Sequence, residues 1–311
     1  MKKIKHFIKN NKSLIILICL MLVAYIVKPS FYKPASIRNL LLKVSIQGII
    51  GLGMTFTLLA GEFDMSVGSV LTLCGIIFAS LLSTTNFYLA VIITLLIGLL
   101  LGIINGLLVS KLKINSFIAT LGVQYAYKAI ALIISNGQPI KITDSIAIKL
   151  SSIRIFKNTI FPFIFFALWI LTLYILKRTR FGRNIYATGG NYEVAKNSGI
   201  NVEWYKTMSF VAVCFTASIA GILMAIRLQT ATTIAGDDVS LTVISSVIVG
   251  GTSTVGGIGG AYESLIGLFI ISIATSLLDA VGISGYTQQV VQGLLIVVII
   301  GITSLIDKRK K

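Results

Sequence analysis

The sequence predicts an all-α polytopic membrane protein, with about ten transmembrane helices in one domain over residues 1–311. Three observations carry that prediction. Of its 311 residues, 56% are hydrophobic and only 12% are charged, against about 25% charged in an ordinary soluble chain. Mean hydropathy is +0.94. The charges gather in short clusters between long apolar runs, as the flanks of membrane spans do. A bilayer core takes about 20 apolar residues per helix. Residues 65–110 are a run of 46 without a charge, residues 280–306 one of 27, residues 207–226 one of 20 and residues 158–176 one of 19. These runs are continuously apolar instead of alternating, which excludes a transmembrane β-barrel.

In chain order, spans are expected at 13–29, 42–60, 64–84, 86–110, 115–135, 159–177, 207–228, 240–256, 260–281 and 285–306. The first follows a lysine-rich start and looks like a signal-peptide core. No small-residue cleavage pattern follows it, so it reads as an uncleaved span. The second is bounded by Lys43 and Glu62. The third and fourth divide the 46-residue run at Ser83-Thr84-Thr85-Asn86. The sixth carries Pro162 near its start, and the eighth is rich in glycine. An even number of spans places both tails on one side, and the excess of Lys and Arg makes that side the cytoplasm. Seventeen basic residues then fall inside and nine outside, with the basic stretch 28–43 running against the rule. The tails 1–12 and 307–311 and the loop 178–206 are expected to be cytoplasmic, in the plasma membrane of a prokaryote.

The net charge of +17 invites a nucleic-acid reading. Its distribution fits anchors facing anionic lipid instead, so no nucleic-acid partner is expected. Cys19, Cys74 and Cys214 lie inside apolar runs and read as small buried hydrophobes. His6, the only histidine, sits in the basic tail. A histidine-based metal site or a Ser-His-Asp constellation is thereby excluded, and neither catalysis nor a cofactor is expected. The chain has no G-x-x-x-x-G-K-[ST] and not even a Gly-Lys pair, so it lacks the cradle that holds nucleotide phosphates. ATP-driven transport through it would need a second polypeptide to hydrolyse the nucleotide.

Three polar stretches interrupt this pattern. Residues 61–69 place Glu62 and Asp64 between apolar runs, where an ionised group is costly and usually faces a cavity or partner. Asp64 has two readings: a cap for the helix that follows, or a group on a substrate path. Residues 250–260 hold six glycines in eleven positions. Without a lysine the stretch reads as a break or close-packing turn, of a kind that can also line a path. Between the sixth and seventh spans, Asn191 suits an N-cap, Glu193 the first turn, Lys196 the last, and Gly199 a left-handed stop. A helix of about two turns is expected near 191–198. It is either an ordinary amphipathic connection or a docking knob for a soluble partner.

Four segments, taken together, resemble the membrane permease of ribose-type ABC importers, the branch serving ribose, other monosaccharides and autoinducer-2. They run from Gly53-Met54-Thr55-Phe56 through Asp64-Met65-Ser66-Val67-Gly68-Ser69, from Asn105-Gly106-Leu107-Leu108-Val109 through Phe117-Ile118-Ala119-Thr120-Leu121, from Phe181-Gly182-Arg183 through Ser198-Gly199-Ile200-Asn201-Val202, and from Gly250-Gly251-Thr252-Ser253 through Gly256-Gly257. The resemblance implies an importer subunit with no covalent chemistry of its own. Its partners would be a cytoplasmic ABC ATPase, an extracytoplasmic solute-binding protein and a second copy of this chain, and its cargo a small polar solute. Glu193, Ala195 and Gly199 match the E-x-A-x-x-x-G core by which such permeases engage their ATPase, with Asn191 capping that helix. Asp64, Asn105 and Thr252 are the candidates for the translocation path. Glu62 stands where the family usually has glycine, Met65 where it has leucine and Ser240 where a glutamate is common. These departures leave the solute open, with branched-chain amino acids and nucleosides as alternatives to a sugar. An ion-coupled secondary transporter remains the rival of a different class, although charges near the expected midplane are few.

Overall fold

The computed structural model describes residues 12–285 together with 287, 288, 290, 293 and 294. The N-terminal basic tail with His6, the C-terminal tail and most of the span expected at 285–306 lie outside the described residues. Twelve α-helices are described: α1 (Lys12–Val27), α2 (Pro34–Leu59), α3 (Val67–Leu81), α4 (Phe87–Ser110), α5 (Ser116–Ser135), α6 (Ser145–Ser152), α7 (Phe161–Arg178), α8 (Arg180–Gly190), α9 (Tyr192–Asn197), α10 (Val202–Leu228), α11 (Val239–Gly250) and α12 (Ala261–Val281). The described residues also form a 3-10 helix (Pro29–Tyr32) and two antiparallel pairs of two-residue strands: β1 (Ile140–Lys141) with β4 (Thr230–Ala231), and β2 (Arg154–Ile155) with β3 (Asn158–Thr159).

Six helices (α2, α4, α5, α7, α10 and α12) are long and apolar enough to cross a membrane. The chain is thus an all-α, multi-pass membrane protein. Helix length supports six crossings among the described residues, against the ten expected. The shortfall falls on α1, α3 and α11, which are apolar but have 16, 15 and 12 residues. At 1.5 Å per residue α11 reaches only about 18 Å, against a core of about 30 Å. Local chemistry sets these lengths. Residues 61–66 turn before α3 begins, and α11 stops at Gly251, whose φ of +117° carries the chain out of the helix.

The long α10 occupies the centre. Without a hydrophobic drive in lipid, helices associate through close backbone approach at small residues. Gly98, Gly102 and Gly106, one turn apart on α4, face Ser218, Val211 and Thr207 of α10. A Cβ at Gly102 or Gly106 would stand 2.6–2.7 Å from the Val211 or Thr207 Cα. The seam ends in a 2.8 Å hydrogen bond between the Ser110 and Thr207 hydroxyls. Gly53 of α2 and Gly75 of α3 meet α10 in the same manner, against Val213 and Gly221. The periphery is lipid-like in character: Ile92, Leu96, Leu100, Ile133 and Leu171 are exposed on α4, α5 and α7.

The loop 178–206 contains two helices, where only one was expected. α8 begins at an N-cap Thr179, whose hydroxyl accepts the Gly182 amide at 3.2 Å. Its glycines suggest a loop, but Gly182 is required inside the helix because a Cβ there would overlap the carbonyls of Ile175 and Leu176. The loop 136–158 is also structured, with α6 capped by Asp144 accepting the Ala147 amide at 2.8 Å.

Candidate functional site

At one end of the fold, α9 projects as a short rod. Asn191 accepts the Val194 amide at 3.0 Å, Glu193 lies in the first turn and Lys196 in the last. Gly199 turns left-handed at φ +78°. Ala195 is 2% exposed and pins the rod to the body, whereas Val194 on the outer side is 61% exposed. Tyr192 lies between two cations, with Lys196 Nζ 5.9 Å and Lys206 Nζ 5.7 Å from its ring centroid. Lys206 also pairs with Glu62 in the turn after α2. An aromatic group, Phe56, Phe181, Trp204 and Tyr205, packs behind the rod with neighbouring centroids 4.8–6.0 Å apart.

The glycine-rich residues 250–260 pass beneath this rod. The Gly257 amide donates to the Leu59 carbonyl of α2 at 2.9 Å. The Tyr186 hydroxyl of α8 donates to the Gly259 carbonyl at 2.7 Å. Burial and the neighbouring Glu263 carboxyl raise the Tyr186 phenol above its ordinary pKa, which keeps the donor proton in place. Gly256, Gly257 and Gly259 of this stretch pack against backbone, while Val255 and Ile258 between them are exposed.

Asp64 is fully buried between α2 and α3. Its Oδ1 accepts the Ser66 amide at 2.8 Å and the Ser66 hydroxyl at 2.6 Å. Its Oδ2 accepts from Asn105 Nδ2 at 3.1 Å and from the Cys214 thiol at 3.6 Å. Asn105 Nδ2 also donates to Ser66 Oγ, and its Oδ1 accepts the Tyr127 hydroxyl, each at 2.8 Å. One carboxyl thus ties the start of α3 to α4, α5 and α10. This differs from the cap, one of the two readings of Asp64: Ser66 holds the N-cap position, and Asp64 takes the Ser66 amide and not a free amide of α3. Thr252 lies apart, buried in the loop after α11 with its hydroxyl 3.5 Å from that of Ser264.

Toward the end of the fold opposite α9, a cavity of about 770 Å³ lies among α2, α3, α10, α11 and α12. None of Asp64, Asn105 and Thr252 reaches its wall. The wall carries Asn39, Lys43 and Gln47 of α2, Arg227 of α10, and Ser276 and Asp279 of α12. Lys43 Nζ and Asp279 Oδ2 stand 3.2 Å apart across it, and Gln288 donates to Asp279 Oδ1 at 2.6 Å. Sequence reasoning missed this group. Its signal was present, since Asn39, Lys43 and Gln47 recur at every fourth residue and share one helix face.

The described helical body thus carries a polar cavity toward one end and a capped rod at the other. Comparison with known proteins gives this architecture a family. The chain is 36% identical over 306 residues to the ribose import permease protein of Haemophilus influenzae, covering 95% of this chain and 93% of that one. It is 36% identical to the ribose import permease protein of Bacillus subtilis, covering 94% and 91%. It is 33% identical to the L-arabinose transport system permease protein of Escherichia coli, covering 91% and 87%. No solved structure gives a significant match. Residues 36–300 match the family described as branched-chain amino acid transport system / permease component, and the chain belongs to that family.

Proposed function

We propose that this chain is the membrane subunit of an ABC importer that carries a monosaccharide, ribose before others, across the plasma membrane. The observation that carries the reading is similarity over more than nine tenths of the chain to permeases named for ribose. The cavity supports a sugar, because amides and paired charges offer donors and acceptors to hydroxyl groups. An extracytoplasmic binding protein would deliver the solute to the cavity end. A separate ATPase would grip α9 at the cytoplasmic end through Glu193, Ala195 and Gly199, with Asn191 holding the rod in register. Both termini would be cytoplasmic, consistent with about ten crossings if α1, α3, α11 and residues 285–306 each contribute one.

Two copies of the chain would enclose the path, each supplying one cavity wall. Nucleotide binding and hydrolysis would favour different orientations of the two copies and so shift the population between outward and inward access. The solute path follows the cavity in this reading, and Asp64 and Asn105 fasten the helices that line it.

Reconstitution tests the proposal. The chain with its ATPase and binding protein in proteoliposomes should accumulate labelled ribose only when ATP is supplied. Glu193→Lys, or Gly199→Pro at a φ that proline cannot adopt, should lower ATPase stimulation while insertion remains normal. Accumulation by the chain alone, with no ATPase present, would refute the reading.

A further inference from the structure

The three segments that meet below α9 approach each other more closely than side chains permit. A Cβ at Gly189, near the end of α8, would overlap the Leu59 carbonyl and stand 2.9 Å from the Gly257 amide nitrogen. A Cβ at Gly256 would stand 2.7 Å from the Gly189 carbonyl and 2.9 Å from the Gly61 Cα. Gly61, Gly256 and Gly257 all have positive φ, at +79°, +100° and +71°. Two hydrogen bonds cross the contact: Gly257 to Leu59 at 2.9 Å and Tyr186 to Gly259 at 2.7 Å. Backbone packed directly on backbone has no flexible side chain between its parts, so displacement of one part moves the others.

The connectivity gives this contact a direction. α8 leads into α9 through Asn191 alone. Leu59 ends α2, residues 251–260 close α11 and open α12, and these three helices carry Lys43, Val239 and Asp279 on the cavity wall at their far ends. We infer that the glycine joint of Gly61, Gly189 and Gly256, latched by the Tyr186 hydroxyl, is the element through which movement of α9 reaches the cavity-lining helices. Tyr186 and the three glycines are positioning residues for transport: they touch no solute, and they set how much of each α9 displacement arrives at the path. The inference rests on the proposed docking of an ATPase at α9.

The test compares transport per ATP hydrolysed in proteoliposomes holding the complete importer. Gly189→Ala places a methyl group in the joint and should lower that ratio by more than about tenfold, in complexes that still hold the ATPase. Gly190→Ala, one residue on, meets nothing within 4 Å and should leave the ratio unchanged. Tyr186→Phe removes the latch without adding volume, should cut the ratio roughly fivefold, and decides the matter if Gly189→Ala fails to assemble. Assembled Tyr186→Phe complexes with the wild-type ratio would overturn the inference and leave the docking proposal standing. Failure of the wild-type chain to retain the ATPase would strike the docking proposal, and the joint's role would fall with it.

Discussion

Replacing Asp64 by asparagine separates a fastening carboxyl from one that meets solute. The substitution keeps shape and alters one atom. The introduced amide could still turn its oxygen toward the Ser66 amide and hydroxyl, now 2.8 and 2.6 Å from Asp64 Oδ1. Its NH2 would then take the place of Asp64 Oδ2, 3.1 Å from Asn105 Nδ2, and set donor against donor. Asn105 cannot relieve this by flipping its amide, because its oxygen already accepts the Tyr127 hydroxyl at 2.8 Å and its nitrogen serves Ser66 Oγ. The residue is fully buried, so water cannot intervene.

Losing a buried bond to a carboxyl and leaving a donor unmatched costs about 2–4 kcal/mol. For a chain of this size that is a fall in Tm of roughly 3–6 °C. Thermal unfolding of the purified variant in detergent, followed by tryptophan fluorescence, measures it. Uptake per assembled complex, assayed below the lowered Tm, should remain within about twofold of wild type, since the cavity wall is untouched. An unchanged Tm together with abolished uptake would refute this reasoning and place Asp64 on the solute path.

Gly106→Leu would drive a side chain into the Thr207 Cα of α10, where neither backbone can retreat, and should cost at least about 3 kcal/mol; normal yield of folded protein would contradict the α4–α10 seam. Lys43→Met removes an ion pair whose side chains are 30% and 56% exposed, so it should change stability by less than about 1 kcal/mol. It should nonetheless alter the apparent affinity for solute in uptake assays, because Lys43 lies on the cavity wall. The raised pKa of Tyr186 means that its hydroxyl keeps its proton, and its bond to Gly259, through and beyond the ordinary tyrosine pKa of about 10. That contribution is fully present at lower pH and is lost only as pH climbs through the elevated folded-state value. Transport per ATP should therefore hold steady from about pH 8 to about pH 10, and a loss in that range carried by wild type but absent in Tyr186→Phe would count against the assignment.

What could be read from the sequence was local. The rod α9 is written in consecutive residues: a capping asparagine, an acid in the first turn, a base in the last and a glycine stop. Each acts within a turn of its own position. The long spans α4, α10 and α12 are legible because lipid demands uninterrupted apolar runs. α8 was hidden because Gly182 and Gly189 argue against a helix by propensity, about 1 kcal/mol each relative to alanine, whereas tertiary contacts with carbonyls of α7 and α2 require them. The cap reading of Asp64 failed for a related reason. An acid before a helix suggests a cap, and nothing nearby announces that Asn105, 41 residues on, and Cys214, 150 residues on, converge on it. Tyr186 carries no sequence mark that separates it from the other tyrosines.

The distribution of polar atoms is the physical ground for proposing the cavity, and not the hydroxyls inside the long helices, as the place that holds solute. Most hydroxyls inside the long helices bond back to their own backbone. Thr55, Thr94, Thr120, Thr172 and Thr275 each donate to the carbonyl four residues earlier, at 2.7–3.0 Å. Such groups are satisfied before any solute arrives and contribute little to binding it. Asp64 and Asn105 are likewise consumed by one another. Amides differ, because no carbonyl of their own helix turn satisfies both their donor and acceptor ends. On α2, Asn39 and Gln47 flank Lys43 on the cavity face. Neither amide is hydrogen-bonded to another of the described residues, so a polyhydroxylated guest would meet unspent donors and acceptors there; deeper in the fold, Gln124 Oε1 and Ser272 Oγ are also unpartnered, but neither residue lines the cavity. Selectivity in such a passage comes from which polar groups the helices leave uncommitted, and here α2 leaves them on the helix whose other end is held by the glycine joint.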